Sequence, residues 1–176
     1  MPAEHRWTRQ EVEFREFVAE CSPRLLRAAY LLLRDVEVAQ DVVQTTLLRT
    51  FRHWRRAREA PEPYSRRVLI NVCNDHWRSQ ARHPETSLAD ESVGIDPVVS
   101  DPECLEDRLT LDALLGELPA RQRAALVLRF YLDLSVAETA ALLDLPEGTV
   151  KSATHRGLAR LRELLDSQPQ EVLKKC

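Results

Sequence analysis

Glycine is scarce, four in 176 residues, and no period-two run of β-branched residues is long enough to build a strand core. With a heavy load of leucine, alanine, arginine and glutamate, this excludes a sheet-rich fold and predicts an all-α chain. No uninterrupted apolar run approaches the roughly 18 residues that a bilayer span requires, so no membrane insertion is expected. The polar start MPAEHRWTRQEVEF lacks the apolar core of a signal peptide. Cys21, Cys73, Cys104 and Cys176 form no C-x-x-C pair and have no histidine at ligand spacing. A metal site is therefore not expected, and the thiols read as reduced ones in a cytoplasmic protein. His5, His53, His76, His83 and His155 are scattered, with no nucleophile elbow, P-loop or metal-spaced pair. An enzyme is disfavoured on that ground, and no cofactor is expected.

What is present is charge, unevenly spread. The net charge is −3. Residues 1–82 carry 15 basic and 11 acidic side chains, residues 83–107 none and eight, and residues 108–176 ten and nine. An acidic connector thus separates two parts, each with a local basic face. The expected division is a helical domain over 1–82, an acidic flexible linker over 83–104, a second helical domain over 105–168 and a tail over 169–176.

The stretch Ser135 to Leu165 reads as two helices joined by a tight turn. Ser135 and Glu138 have the spacing of a capping box. Asp144-Leu145-Pro146 breaks the pattern, and Pro146 suits the first turn of a new helix. That helix sets Val150, Leu158, Leu161 and Leu165 on one face and Lys151, Ser152, His155 and Arg156 on another. Early basic residues on the second helix of such a pair are positioned to meet base edges in a major groove. A helical hairpin with a merely solvated basic face fits the same spacing.

Upstream, Ser22-Pro23 suits a helix start between two apolar-periodic segments. Val36 to Trp54 reads as a further helix, Arg55 to Pro63 as a polar loop and Tyr64 to Arg82 as another helix. The expected core is Leu25, Leu26, Tyr30, Val42, Leu48, Phe51 and Val68. From Arg49 to Arg82 nine basic residues stand against three acidic ones, interleaved with Trp54, Tyr64 and Trp77. Cations that track phosphates and rings that stack on unpaired bases suit a single-strand surface. A buried Trp54 and Tyr64 with solvated arginines is the plainer alternative. In the second half, Leu109, Leu111, Leu114 and Leu115 predict a short helix ending at Gly116. Leu118-Pro119 opens the next, through Ala125, Leu126, Leu128, Phe130 and Tyr131.

Three blocks then carry a resemblance. AQDVVQTTLLRTFRHW (Ala39 to Trp54), YSRRVLINVCNDHWR (Tyr64 to Arg78) and the string from Leu115 to Leu164 are similar, in order, to the extracytoplasmic-function sigma factors of bacterial RNA polymerase. The resemblance implies a region-two-like bundle and a region-four-like helix-turn-helix domain that bind core RNA polymerase and direct it to promoter DNA. It implies core contacts at Asp41, Gln44, Arg49 and Arg52. It implies minus-ten strand contacts at Tyr64, Arg66, Arg67, Asn71, Trp77 and Arg78. Lys151, Ser152, His155 and Arg156 become the minus-thirty-five readers, with Arg160 on phosphate or solvent. The free protein is expected to be a monomer, and many relatives are held inactive by an anti-sigma factor covering these same faces. Thr45 and Gln40 stand where the family carries acidic residues, Tyr64 where tryptophan is frequent, and Asp144 where glycine is common. A stand-alone helix-turn-helix regulator that binds duplex without polymerase is the competing reading; it leaves the first half of the chain without a task.

Overall fold

The computed structural model describes residues 8–82 and 111–167. The expected linker, the helix start near Leu105 and Leu109, the tail, and His5, His83, Cys104 and Cys176 lie outside the described residues. The chain divides into two units, Met1–Val93 and Gly94–Cys176.

In the first unit, α1 (Arg9–Leu33) opens on a capping box between Thr8 and Glu11 and closes on Arg34, at φ 62°, whose N–H donates to the Tyr30 carbonyl. It runs unbroken through Pro23, where the sequence suggested a new helix start. An interior proline costs a helix about 3 kcal/mol. Here the Ser22 hydroxyl donates to the Val18 carbonyl at 2.6 Å. The buried stripe Phe17, Cys21, Leu25, Ala28, Leu32 keeps its phase across the proline. Each large apolar side chain so buried contributes about 1.5–3 kcal/mol, so the stripe outweighs the breaker.

Helix α2 (Val36–Arg52) is capped by Asp35, whose carboxylate accepts from the Val38 amide at 2.9 Å. Its inner face is Ala39, Val42, Val43, Thr46 and Thr50. Leu48, 56% exposed, faces outward instead of lining the core as expected, and Phe51, 36% exposed, lies at the rim with one face against Phe14. Thr46 and Thr50 hold the inner positions because their hydroxyls donate to the Val42 and Thr46 carbonyls at 2.7 and 2.8 Å, leaving only methyl groups to pack. Leu25, Tyr30 and Val42 are buried as expected, while Leu26 and Val68 are half-buried.

The expected loop at Arg55–Pro63 is shorter than the sequence suggested. A short helix α3 (Trp54–Ala57) follows His53, and α4 (Pro61–Arg82) begins at a proline, which lacks only an amide the first turn would not use. Trp54 is buried within an aromatic cluster. Its ring lies 5.0 Å from Phe14, edge to face, and 5.3 Å from Phe17, and Phe14 sits 4.8 Å from Phe51. The core of the unit is α1, α2 and α4 packed on one another through Leu69, Ile70, Val72 and Cys73.

In the second unit, residues 111–116 are helical and bury Leu114 and Leu115. Helix α5 (Ala120–Leu126) passes without a break into a π-helical turn, Val127–Tyr131, closed by the Leu132 amide on the Val127 carbonyl at 3.0 Å. The wider turn changes the helical phase. Val127, Leu128 and Leu132 stay inside, while Phe130, expected to continue the apolar face, is 59% exposed. Helix α6 (Val136–Leu143) carries the expected capping box, with the Glu138 amide 3.1 Å from Ser135 Oγ and the Ser135 amide 2.8 Å from Glu138 Oε2. Asp144 turns the chain at φ 54°, ψ 49°, a left-handed conformation that Asp tolerates better than most residues. Pro146 serves as N-cap, one position earlier than expected, and α7 (Glu147–Asp166) follows.

The buried side of α7 is Val150, Ala153 and Gly157. Leu158 and Leu161 are only half-buried and Leu165 is exposed. Small residues here let α5 approach closely. A Cβ on Gly157 would stand 3.0 Å from Leu126 Cδ1 and 3.5 Å from Gln122 Cβ. Gly157→Leu should therefore destabilise the unit by about 1–3 kcal/mol through overpacking. Gly157→Ala would also press on buried Leu126, whose Cγ would lie 3.2 Å from the new Cβ, but gains helix propensity of about 1 kcal/mol, so it should lower the melting temperature much less than Gly157→Leu. Thermal denaturation of the two variants separates these outcomes; equal melting temperatures would refute the close-packing account.

Candidate nucleic-acid interface

With Val150, Ala153 and Gly157 turned toward α5, the opposite side of α7 is fixed. Lys151 and His155 form one ridge and Ser152 and Arg156 the next, each pair one turn apart, and all four side chains are exposed. Ser152 Oγ donates to the Thr149 carbonyl at 3.0 Å. Arg156 lies back over Ser152, its Nε 3.3 Å from the Ser152 carbonyl and its Nη2 3.4 Å from the hydroxyl. Lys151 Nζ stands 3.9 Å from Glu147. Exposed pairs of this kind contribute about 0–1 kcal/mol, so Lys151 can be given up to a phosphate at little expense. Arg160 bonds Glu163 at 3.0 Å, further from the helix start. The cationic ridges sit within the first three turns of α7.

In the first unit the structure sorts the expected residues more finely than the sequence did. Asp41, Gln44 and Arg52 are exposed on one ridge of α2, with Leu48 between them. Arg49 lies about 80° round the helix at 100° per residue and belongs to another face. Its Nη1 is 3.7 Å from Asp75 Oδ2 of α4, and Asp75 Oδ1 is 3.9 Å from Arg78 Nη1. Arg49, assigned to polymerase, and Arg78, assigned to DNA, thus meet through one carboxylate.

On α4, Tyr64, Arg67, Asn71 and Arg78 fall on one outer ridge together with Asp75, three or four residues apart. Tyr64 is half-buried and the other three are exposed. Arg66 and Trp77 are half-buried on the flank nearer the core and do not join that ridge. Arg55, Arg56 and Arg58, from α3 and the turn after it, are exposed and extend the basic surface. Sequence reasoning missed Leu48 and Asp75 as surface participants. The signal for Leu48 was the 39-42-43-46-50 periodicity of α2, and Asp75 is three residues before Arg78, a helical ion-pair spacing.

The remaining reactive groups are quiet. Burial pushes the Cys21 thiol up to about 11 and the Cys73 thiol up to about 12, so neither is a thiolate nucleophile at neutral pH. His53 is exposed, with Nδ1 3.0 Å from the Arg49 carbonyl, to which it can donate. Among the described residues no helix is long and apolar enough to cross a membrane.

Comparison with known proteins gives matches over both units. The family described as Sigma-70 region 2 matches residues 17–83, and that described as Sigma-70, region 4 matches residues 108–161. The RNA polymerase sigma-E factor of Streptomyces avermitilis is 40% identical over 161 residues, covering 89% of this chain and 87% of that protein. The ECF RNA polymerase sigma factor SigM of Mycobacterium tuberculosis is 35% identical over 144 residues, covering 81% and 71%. Among solved structures, the sigma factor RpoE in complex with the anti-sigma factor NepR from Bartonella quintana matches with a TM-score of 0.66 at 27% identity. That match covers 89% of this chain and 99% of the other.

Proposed function

The chain belongs to the extracytoplasmic-function (ECF) RNA polymerase sigma factors, and we propose that its two units divide the tasks of promoter selection between them. Residues 1–82 dock on core polymerase and capture the opened minus-ten strand. Residues 105–168 read the minus-thirty-five duplex. The factor works by binding, without catalysis of its own, and acts in the cytoplasm where polymerase and promoter are found.

The observation that carries this reading is the junction of α2 and α4. The α2 ridge Asp41, Gln44, Arg52, with exposed apolar Leu48 at its centre, has the make-up of a docking face: an apolar side chain that a partner would desolvate, ringed by polar groups. The α4 ridge Tyr64, Arg67, Asn71, Arg78 combines cations for phosphates, an amide for base edges and a ring for stacking. Asp75 of this ridge stands 3.7 Å from Arg49 on the neighbouring face of α2 and 3.9 Å from Arg78, and the packing of α2 on α4 sets the spacing of the two ridges. A polymerase docked on α2 would therefore hold the strand-capturing ridge beside the opened duplex. On α7, Lys151 and Arg156 supply phosphate or base contacts, and Ser152 and His155 add shorter-range hydrogen bonds. An anti-sigma partner, of the kind bound to the Bartonella quintana relative, would act by covering these ridges.

Purified protein added to core polymerase should yield specific run-off transcripts from the promoter it serves. Core with and without the protein behaving alike on every promoter tried would sink the reading. A tight duplex shift by the free protein at physiological salt would favour the stand-alone regulator instead.

A further inference from the structure

Helix α7 carries two glycines, Gly148 and Gly157, on opposite sides, about 180° apart at 100° per residue. Gly157 is explained from within the protein, since a side chain there would press on Leu126 of α5. Gly148 is not. It is exposed, its φ is not positive, and a Cβ built on it would meet no atom within 4 Å. Neither backbone conformation nor packing in this unit calls for glycine at that position. Glycine is nonetheless the poorest helix former after proline, so alanine there would favour the helix.

Gly148 faces the same way as the expected duplex readers. Round the helix it lies within about 80° of His155, Ser152, Lys151 and Arg156 alike, between the two pairs and one turn ahead of them. Ser152 follows it along the face, short and folded onto the Thr149 carbonyl at 3.0 Å, and Arg156 lies back over Ser152. The face is therefore lowest at its leading turn and rises toward the middle of the helix. An α-helix with its side chains is about 10–12 Å across, and the major groove is about 12 Å wide. A fully clothed helix fills that groove, and a bare position on its inward face is where it can go deeper.

We propose that Gly148 is a specificity-determining residue of α7, whose missing side chain lets the leading turn seat against a base-pair edge of the minus-thirty-five duplex. This rests on the reading of α7 as the duplex-reading helix. The contact is to a base edge because Glu147, beside Gly148, carries an exposed carboxylate. A carboxylate repels phosphates but accepts from the amino group of cytosine. A side chain at 148 would hold the leading turn off the groove floor, and Ser152, the next residue on the face, is too short to make up the distance.

The probe is a pool of promoter-length duplexes with a randomised upstream segment, presented to core polymerase plus the full chain, the bound fraction being sequenced. Gly148→Ala and Gly148→Leu are compared with wild type and with the double variant Lys151→Ala/Arg156→Ala. Both glycine variants should melt no lower than wild type. Gly148→Ala should weaken selection of the wild-type upstream sequences about tenfold, relaxing preference at one or two neighbouring positions, and Gly148→Leu about a hundredfold. Loss of selection by the double variant but not by Gly148→Ala would overturn this proposal alone. Wild-type selection by the double variant would overturn the duplex-reading role of α7 and this proposal with it. Equal losses for alanine and leucine would point to backbone freedom in place of a contact, and a loss uniform over all sequences to a phosphate. A lowered melting temperature for Gly148→Ala would point to a demand of the fold. Each of these three results would overturn the proposal.

Discussion

Replacing both Lys151 and Arg156 with alanine is expected to lower initiation from promoters that depend on the upstream element by about thirtyfold or more, at about 1–3 kcal/mol for each side chain removed from the DNA. The structure makes this a clean change. Both side chains are exposed, and neither makes more than weak local bonds, Lys151 to Glu147 at 3.9 Å and Arg156 to Ser152 at 3.3–3.4 Å. Exposed substitutions of this kind stay within about 0.5 kcal/mol of wild-type stability, so the helical signal and melting temperature should hold. The two kinds of DNA contact can also be told apart. If either side chain neutralises a phosphate, its alanine variant binds duplex with a salt dependence lower by about one counterion and weakens on all sequences alike. If it reads a base, the variant relaxes preference at one position of the site. Initiation at wild-type level, with the salt dependence intact, would remove α7 from the duplex-reading role.

The second large effect is on the other unit and is one of stability. Leu69 is wholly buried in α4, on the side packed against α1 and α2. Leu69→Ala removes its transfer energy and leaves a cavity, together about 2–5 kcal/mol. Against a total of about 5–15 kcal/mol for a typical domain, that is a large fraction. At about 4–8 °C per kcal/mol in a unit this small, thermal unfolding should move down by about 8–40 °C. Near the transition, polymerase docking and strand capture should fail together, because the α2 and α4 ridges keep their spacing through the shared core. A melting temperature within a few degrees of wild type would show that the three-helix packing is wrong.

How much of the fold and the interface was legible in the sequence depended on the range of the interaction that decides each feature. The Ser135–Glu138 box and the left-handed Asp144 were readable because each involves a side chain and backbone a few residues apart. The outward position of Asp41, Gln44, Arg49 and Arg52 followed from polarity alone. The continuity of α1 was not readable, since Pro23 and Ser22 look locally like a helix start and only the stripe packed on α2 and α4 overrules them. The inner face of α2 escapes a hydrophobicity reading for a related reason: Leu48 and Phe51 are more apolar than Thr46 and Thr50, but threonines that satisfy their own hydroxyls pack as small hydrophobes. The meeting of Arg49 with Arg78 at Asp75 joins residues far apart in the sequence, and no spacing rule reaches that far. Phe130 falls on the inner face only under a constant helical period, and the period changes there.

That change of period makes chain length itself a determinant in the second unit. The turn at Val127–Tyr131 holds one residue more than an α-turn would. Deleting a single residue there would let the turn close as an ordinary α-turn with the chain beyond it in the same phase, whereas a deletion in α5 before it would rotate the chain beyond by about 100°. In that second case Leu132 and Leu134, both buried, would swing out of the interior, and α7 would be carried round with them. Substitution at exposed Phe130 leaves that count intact; insertion or deletion does not. The wide turn therefore tolerates the loss of a residue, and the helix before it does not.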